Sequence, residues 1–251
     1  MPNPPRGSSP VATAMAVLRC FSPERPVLGV VEIAEEIGLH KSSVSRMMTT
    51  LEAEDLVEQD PLSKKYRLGL GLLSVAGSLL ANLDVRRAAL PVLTELTGRT
   101  GETSSLVLWD GCDAIIVEQV PSANPIKHVT ELGTRYSRVE NASVRVHLTG
   151  LPERERQDFL ASVPRGAATY RRLAAADPEG ISVNDGETTP DEVGIAAAVR
   201  DHRGEVTAAI LLAAPRYRVD AERLSTLCAD CRGAADDLTR ALGGTPEQRT
   251  A

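Results

Sequence analysis

Apolar residues recur at helical spacing in the first part of the chain and change to short strand-like runs from Ser105 onward. Val11, Met15, Leu18 and Phe21 outline a first helix that Ser22-Pro23 ends, and it is expected to pack behind the next two helices. Val30, Ile33, Ala34 and Ile37 outline a second helix, which Gly38 stops in a left-handed turn. Leu39, Val44, Met47, Met48 and Leu51 begin a third stripe at once. Two short helices across so tight a turn, with small Ala34 to let them approach and Val44 to pack beneath, predict a helix-turn-helix. Leu56-Val57 then begins a strand, Asp60-Pro61-Leu62-Ser63 turns the chain, and Lys64-Lys65-Tyr66-Arg67 returns as the second strand of a wing.

Beyond the wing, Leu72, Ala76, Leu79, Leu80 and Leu83 form a stripe on a linker helix of the kind that meets its own copy. Asp84 is expected to cap the next helix, with Val85, Ala88, Leu90, Val92, Leu93 and Leu96 on it, Pro91 as a kink or true start, and Gly98 and Gly101 as its end. Ser105–Trp109, Ala114–Val120 and Ile126–Glu131 read as an antiparallel meander around an Asp110-Gly111 turn. Helices are expected at Asn141–Leu148 and Glu153–Ser162, strands at Ile181–Asn184, Ile195–Val199 and Val206–Ala213, and a last helix from about Val219 to Leu242, closed by Gly243-Gly244.

This order predicts an α+β chain. An N-terminal, mostly α-helical winged helix-turn-helix domain occupies 10–69, a linker and dimerisation helix 70–83, and a sensor-like domain with an antiparallel sheet and flanking helices 84–244. Residues 1–9, with three prolines and no apolar period, are expected to be a disordered tail, and 245–251 a second tail.

The chain of 251 residues is long enough for two domains with their own cores. A formal net charge of -6 would oppose nucleic-acid binding if it were evenly spread. Up to Leu83, eight Lys and Arg face nine Asp and Glu, yet five of those cations lie between Lys41 and Arg67. Lys41, Ser42, Ser43, Ser45 and Arg46 crowd the start of the third helix, where a recognition helix meets base edges, and no carboxylate falls between Leu39 and Leu51. Thr49, Lys64, Lys65 and Arg67 are placed to hold phosphates. Any small helical domain carries exposed Lys and Arg, and some winged helices bind proteins instead. The coincidence of hydroxyls, helix start and basic wing favours double-stranded DNA. So weak an overall charge implies two copies on a two-fold, pseudo-palindromic site.

Other chemistries find little support. Of Cys20, Cys112, Cys228 and Cys231 only the last two are close, inside a helical pattern, and His40, His128, His147 and His202 do not cluster, so no metal site is expected. Gly-x-Ser-x-Gly, phosphate-binding and His-Glu-x-x-His motifs are absent, and Gly69-Leu70-Gly71 is half of a dinucleotide fingerprint. No cofactor is expected and the chain does not read as an enzyme. Glu187, Asp191 and Glu192 read as a solvated acidic loop, and His147 as packed rather than catalytic. The start shows no signal peptide and the longest apolar segment, Leu68 to Leu83, falls short of a membrane span, which points to a cytoplasmic protein.

Ile33-Ala34-Glu35-Glu36-Ile37-Gly38-Leu39-His40-Lys41-Ser42-Ser43-Val44-Ser45-Arg46, then Lys65-Tyr66-Arg67-Leu68-Gly69, then Thr100-Gly101-Glu102-Thr103, resemble the IclR-type bacterial transcription regulators. The resemblance implies a winged helix, a linker helix used in dimerisation and a GAF-like effector-binding domain, in dimers or tetramers that regulate small-molecule catabolism, more often by repression. The sensor half departs from the pattern. Where members that bind small carboxylates show Pro-Leu-His and Gly-Lys, this chain has Ser137-Arg138-Val139 and Val144-Arg145, and Ser-x-Ser-Gly-Pro becomes Leu211-Leu212-Ala213-Ala214-Pro215. Carried over by position, the pocket comprises His128, Tyr136, Ala142, Ser143, Asn184, Gly194, Leu211 and Ala213. Without the hydroxyls that would bond a small organic acid, the expected effector is larger, flatter or more apolar, and not a small carboxylate. Two alternatives remain on this reading: Leu211 fills the cavity of a ligand-free dimerisation domain beside a protein-binding winged helix, or a small-molecule enzyme carries a fused winged helix.

Overall fold

The computed structural model describes residues 9–22, 24–82, 84–174 and 180–246. The chain divides into two compact units, Met1–Leu83 and Asp84–Ala251. The expected tail at 1–9 lies outside the described residues except for Ser9, which caps the first helix by accepting the N–H of Val11.

In the first unit, α1 (Pro10–Leu18), α2 (Val30–Ile37) and α3 (Lys41–Ala53) enclose one core. Val17, Ile33, Val44 and Met48 are each fully buried in it, with Cys20, Phe21 and Leu51 around them. Gly38 takes φ +68 and the N–H of Leu39 bonds to the carbonyl of Ala34, the turn expected between α2 and α3. The wing strands β1 (Val57–Gln59) and β2 (Tyr66–Leu68) pair antiparallel, and Leu28 exchanges two backbone hydrogen bonds with Tyr66 of 2.9 and 2.8 Å. Lys64 and Lys65, expected in the second strand, belong to the turn instead: Lys64 has φ +57 and Asp60 accepts the N–H groups of Leu62 and Ser63. Gly69 and Gly71 have a packing reason rather than a nucleotide-binding one. A Cβ on Gly69 would stand 2.2 Å from the carbonyl oxygen of Asp55, and one on Gly71 2.6 Å from it. The helix α4 (Gly71–Asn82) comes next, with Leu73 and Val75 exposed. Leu83 of the expected stripe lies outside the described residues, and the side chains of Leu79, Leu80 and Asp84 lie outside what is described.

The second unit is a six-stranded antiparallel sheet in the order β5-β4-β3-β8-β7-β6: β3 (Thr103–Trp109), β4 (Ala114–Val120), β5 (Arg135–Tyr136), β6 (Ile181–Asp185), β7 (Glu192–Arg200) and β8 (Val206–Pro215). The helices α5 (Asp84–Thr100) and α9 (Ala221–Ala241) cover one face, where Leu93, Leu106, Ile195, Ile210, Leu212 and Leu238 are fully buried. The helices α6 (Ala142–Gly150), α7 (Glu153–Ser162) and α8 (Gly166–Ala174) cover the other, over Val107, Ile116, Ala196, Ala209 and Leu211. The α+β class with a helix-turn-helix ahead of an antiparallel sheet is thus as expected.

Several element expectations need correction. Pro91 does not start α5, which runs from Asp84 to Thr100 with Pro91 inside it, on the exposed side where water can satisfy the carbonyl one turn before it. Gly98 lies within that helix, and Gly101, at φ +70, ends it. Residues Ile126–Glu131 form no strand: Ile126 and Val129 are exposed and find no apolar face. The short β5 takes the edge of β4 instead, anchored by Arg135 on Asp110 and Asp113. Helix α8 was not expected, since only Gly166 and Leu173 are buried on it, with Ala167 and Tyr170 partly so, which makes too short an apolar stripe to stand out in the sequence.

Candidate nucleic-acid interface and effector face

The apolar stripe of α3 turns Val44, Met48 and Leu51 into the core and leaves Lys41, Ser42, Ser45, Arg46 and Thr49 exposed, with Ser43 half-buried. No side chain caps this helix; the N–H groups of Ser43 and Val44 bond to the carbonyl of His40. Lys41 and Arg46 make no ion pair among the described residues, so both charges are available to an anionic partner. Thr49 differs: its hydroxyl donates to the Ser45 carbonyl at 3.1 Å, and it must rotate before it can donate to a phosphate.

The wing cations are unequal. Lys64 stands exposed at the tip and makes no ion pair among the described residues. Lys65 is 3.1 Å from Glu32 of α2, and Arg67 is 2.9 Å from Glu58, its cross-strand partner. Glu32 also accepts the Gly29 N–H at 2.6 Å, and that bond, with Lys65 second, holds its carboxyl below the usual range. These pairs were not legible in the sequence, which showed charge but not cross-element distance.

In the second unit, pairing of Asn184 with Gly194, Gly194 with Ala213 and Ala196 with Leu211 puts these residues on the face that α6 covers. Tyr136 packs at the same core and donates to Thr130 at 3.2 Å. The N-cap Asn141 accepts the Ser143 N–H, and Ala142 and Ser143 open α6. The end of α6 crosses the start of β8, where a Cβ on Gly150 would meet Val206 at 2.5 Å. Its beginning therefore lies toward the other end of β8, with Leu211 and Ala213. Asn184 is occupied in its own turn, donating to Thr188 and accepting the Glu187 N–H. Leu211 is 5% exposed and its Cδ1 would lie 3.9 Å from a Cβ on Gly194, so it covers the space that glycine leaves.

Arg145 does not face this region. Buried to 1% exposure, it ties α6 to β6 through Ser182 Oγ at 2.6 Å and the Val183 carbonyl, and bonds the Glu140 carbonyl at 2.9 Å. His147, expected to be packed, is buried and stacks on Trp109 at 5.6 Å. Burial takes its pKa down to about 4.

Glu192 departs from its expected place. It is no part of a solvated loop; it opens β7, half-buried, in phase with Gly194 and Ala196, with His128 Nδ1 3.4 Å from its Oε2. It stands in the phase of Ala196 in the expected strand Ile195–Val199, four residues before it. His128 also meets the Asp191 carbonyl through Nε2 at 3.2 Å.

Cys231 is buried on α9 against the carbonyls of Ile195 and Ile210, with Cys228 half-buried one turn before it. Among the described residues no helix is long and apolar enough to cross a membrane.

Comparison with known proteins agrees with this geometry. Residues 10–61 match the IclR helix-turn-helix domain, and 77–240 match the bacterial transcriptional regulator IclR C-terminal domain. The HTH-type transcriptional regulator KipR of Bacillus subtilis is 30% identical over 94% of this chain and 97% of its own. The HTH-type transcriptional repressor AllR of Salmonella paratyphi A is 25% identical over 98% and 94%. An IclR homolog from Microbacterium hydrocarbonoxydans, solved in complex with 4-hydroxybenzoate, superposes with TM-score 0.78 at 22% identity over 93% of this chain and 99% of that one, which shows the shared fold. These relatives are transcription regulators, not enzymes. The chain is a member of the IclR family of bacterial transcription regulators, with a helix-turn-helix domain and an effector-binding domain.

Proposed function

We propose that this chain is a cytoplasmic repressor that binds a pseudo-palindromic operator as a homodimer, or a dimer of dimers, and is controlled by a small molecule held in residues 84–244. One observation carries the DNA-reading part. Helix α3 buries Val44, Met48 and Leu51 while leaving Lys41, Ser42, Ser45 and Arg46 exposed on its first turns, and the two cations make no ion pair among the described residues. Lys41, Ser42, Ser43, Ser45 and Arg46 read base edges, and Thr49, Lys64, Lys65 and Arg67 hold phosphates, Lys65 and Arg67 after giving up Glu32 and Glu58. Repression is favoured by the AllR relatives, which are named repressors.

The effector occupies the α6 face of the sheet, with His128, Tyr136, Ala142, Ser143, Asn184, Gly194, Leu211 and Ala213 as its walls. It is flat and largely apolar rather than a small carboxylate. The Microbacterium relative was solved with 4-hydroxybenzoate, which supports the flat aromatic ring and not the exclusion of a carboxylate. Effector binding favours one of two pre-existing arrangements of the paired winged helices and so alters operator affinity. A second reading is favoured by the packing of Leu211 over Gly194, which suits a domain that dimerises without a ligand.

Protection mapping on the intergenic DNA upstream of its gene tests the DNA part. Two protected half-sites related by two-fold symmetry, about one helical turn or a multiple of it apart, are expected. A single asymmetric patch, or none, contradicts the proposal.

A further inference from the structure

We infer that the polar end of the α6 face takes a cationic N–H donor group of the effector, an amine, amidine or guanidine, on the carboxylate of Glu192. This deepens the proposal above and rests on its placing of the effector on that face.

The side-chain amides of the face and the Tyr136 hydroxyl are already engaged inside the protein. Tyr136 donates to Thr130, Asn184 to Thr188, and Gln119 of β4 to Ser105 of β3 at 3.1 Å. The two nitrogens of His128 face Glu192 Oε2 and the Asp191 carbonyl. An anionic ligand would therefore have to compete for the Tyr136, Asn184 and Gln119 donors, with the Ser143 hydroxyl the exception.

Acceptors are in surplus. Oε1 of Glu192 accepts no hydrogen bond among the described residues, and it would lie 3.9 Å from a Cβ on Gly194. It thus borders the position over that glycine, which Asn184 Cβ and Leu211 Cδ1 border too, at 3.8 and 3.9 Å. Glu187, whose N–H is held by Asn184, carries a buried carboxylate oxygen, Oε2, with no partner among the described residues. Burial raises the pKa of Glu192 despite the neighbouring His128, as expected of a carboxylate with too few donors.

A second observation points to a ligand independently. Ser143 is fully buried on the first turn of α6 and its Oγ makes no hydrogen bond among the described residues. It lies one helical turn before His147, on the same side of α6, and His147 stacks on Trp109 of the sheet. Its hydroxyl therefore faces the sheet at the end of α6 that lies toward Leu211 and Ala213. An unpaired buried hydroxyl is unfavourable, and a ligand atom at that position would relieve it.

The test is thermal unfolding of the full chain with three probes of one shape, benzamidine, benzamide and benzoate, on the wild type and on Glu192→Gln. The expected result is a concentration-dependent rise in Tm with benzamidine, a smaller one with benzamide and none with benzoate. In Glu192→Gln the benzamidine affinity should fall at least about tenfold while benzamide is retained, which also shows that the variant is folded. Benzoate equal to or better than benzamidine overturns the inference and leaves the effector site standing, as does benzamide equal to benzamidine. A benzamidine shift that survives in Glu192→Gln overturns it too, since the cation then binds elsewhere. No shift with any probe counts against both the inference and the effector site on this face.

Discussion

The ammonium of Lys65 stands 3.1 Å from the carboxylate of Glu32, so a cation of the wing is tied to the helix that precedes the recognition helix. Both side chains are almost half exposed, so solvent screens the pair and it contributes little to stability. Its consequence is for DNA affinity. Glu32→Gln keeps an amide oxygen to accept the Gly29 N–H but releases the charge of Lys65. Operator binding should tighten at low salt, and the slope of log affinity against log salt should steepen by about one. An unchanged slope in a salt titration would place Lys65 away from the phosphates.

Glycines at 38 and 69 should differ in kind. Gly38 has φ +68 with open space where a Cβ would go, so Gly38→Ala carries only backbone strain, about 1 kcal/mol. Gly69→Ala drives a methyl to 2.2 Å from the Asp55 carbonyl and forces the junction of wing and α4 apart. A loss of about 1–3 kcal/mol or more is expected. Urea midpoints of the winged-helix transition check the order, and Gly38→Ala as the more damaging of the two would contradict it.

Stability should fall in acid partly through His147. Its folded pKa of about 4 lies below the ordinary 6.5, so between those values the unfolded chain binds the extra proton. The neutral imidazole's contribution is therefore fully present above about pH 6.5 and is lost as pH falls toward 4, by roughly 3 kcal/mol at most. His147→Phe keeps an aromatic ring against Trp109 and has nothing to protonate. Urea midpoints from pH 7 to 4 should decline more steeply for the wild type than for His147→Phe. Parallel curves would refute this origin.

The winged helix was legible because its signals are local. Gly38, the Val44-Met48-Leu51 stripe and the wing turn each act within a few residues, and the structure realises them nearly in place. The sheet was legible in part: β3, β4 and β8 alternate or run apolar, whereas Ile126–Glu131 has strand-forming residues but no sheet face to join. What escaped depends on distances between elements far apart in sequence. Lys65 with Glu32, Arg67 with Glu58 and His128 with Glu192 are such pairs. Glu192 was hidden for a further reason, because an acid at a strand end looks the same in sequence as one in a loop.

That α3 reads DNA is tested most directly by fluorescence anisotropy. The purified protein is titrated against its own upstream intergenic DNA and against scrambled DNA at two salt concentrations. Specific binding is expected, and Lys41→Ala and Arg46→Ala should each abolish it or weaken it at least about tenfold, with fold unchanged by Tm. Binding no tighter than to scrambled DNA with the same salt slope, or specific binding indifferent to both substitutions, would contradict a DNA-reading α3.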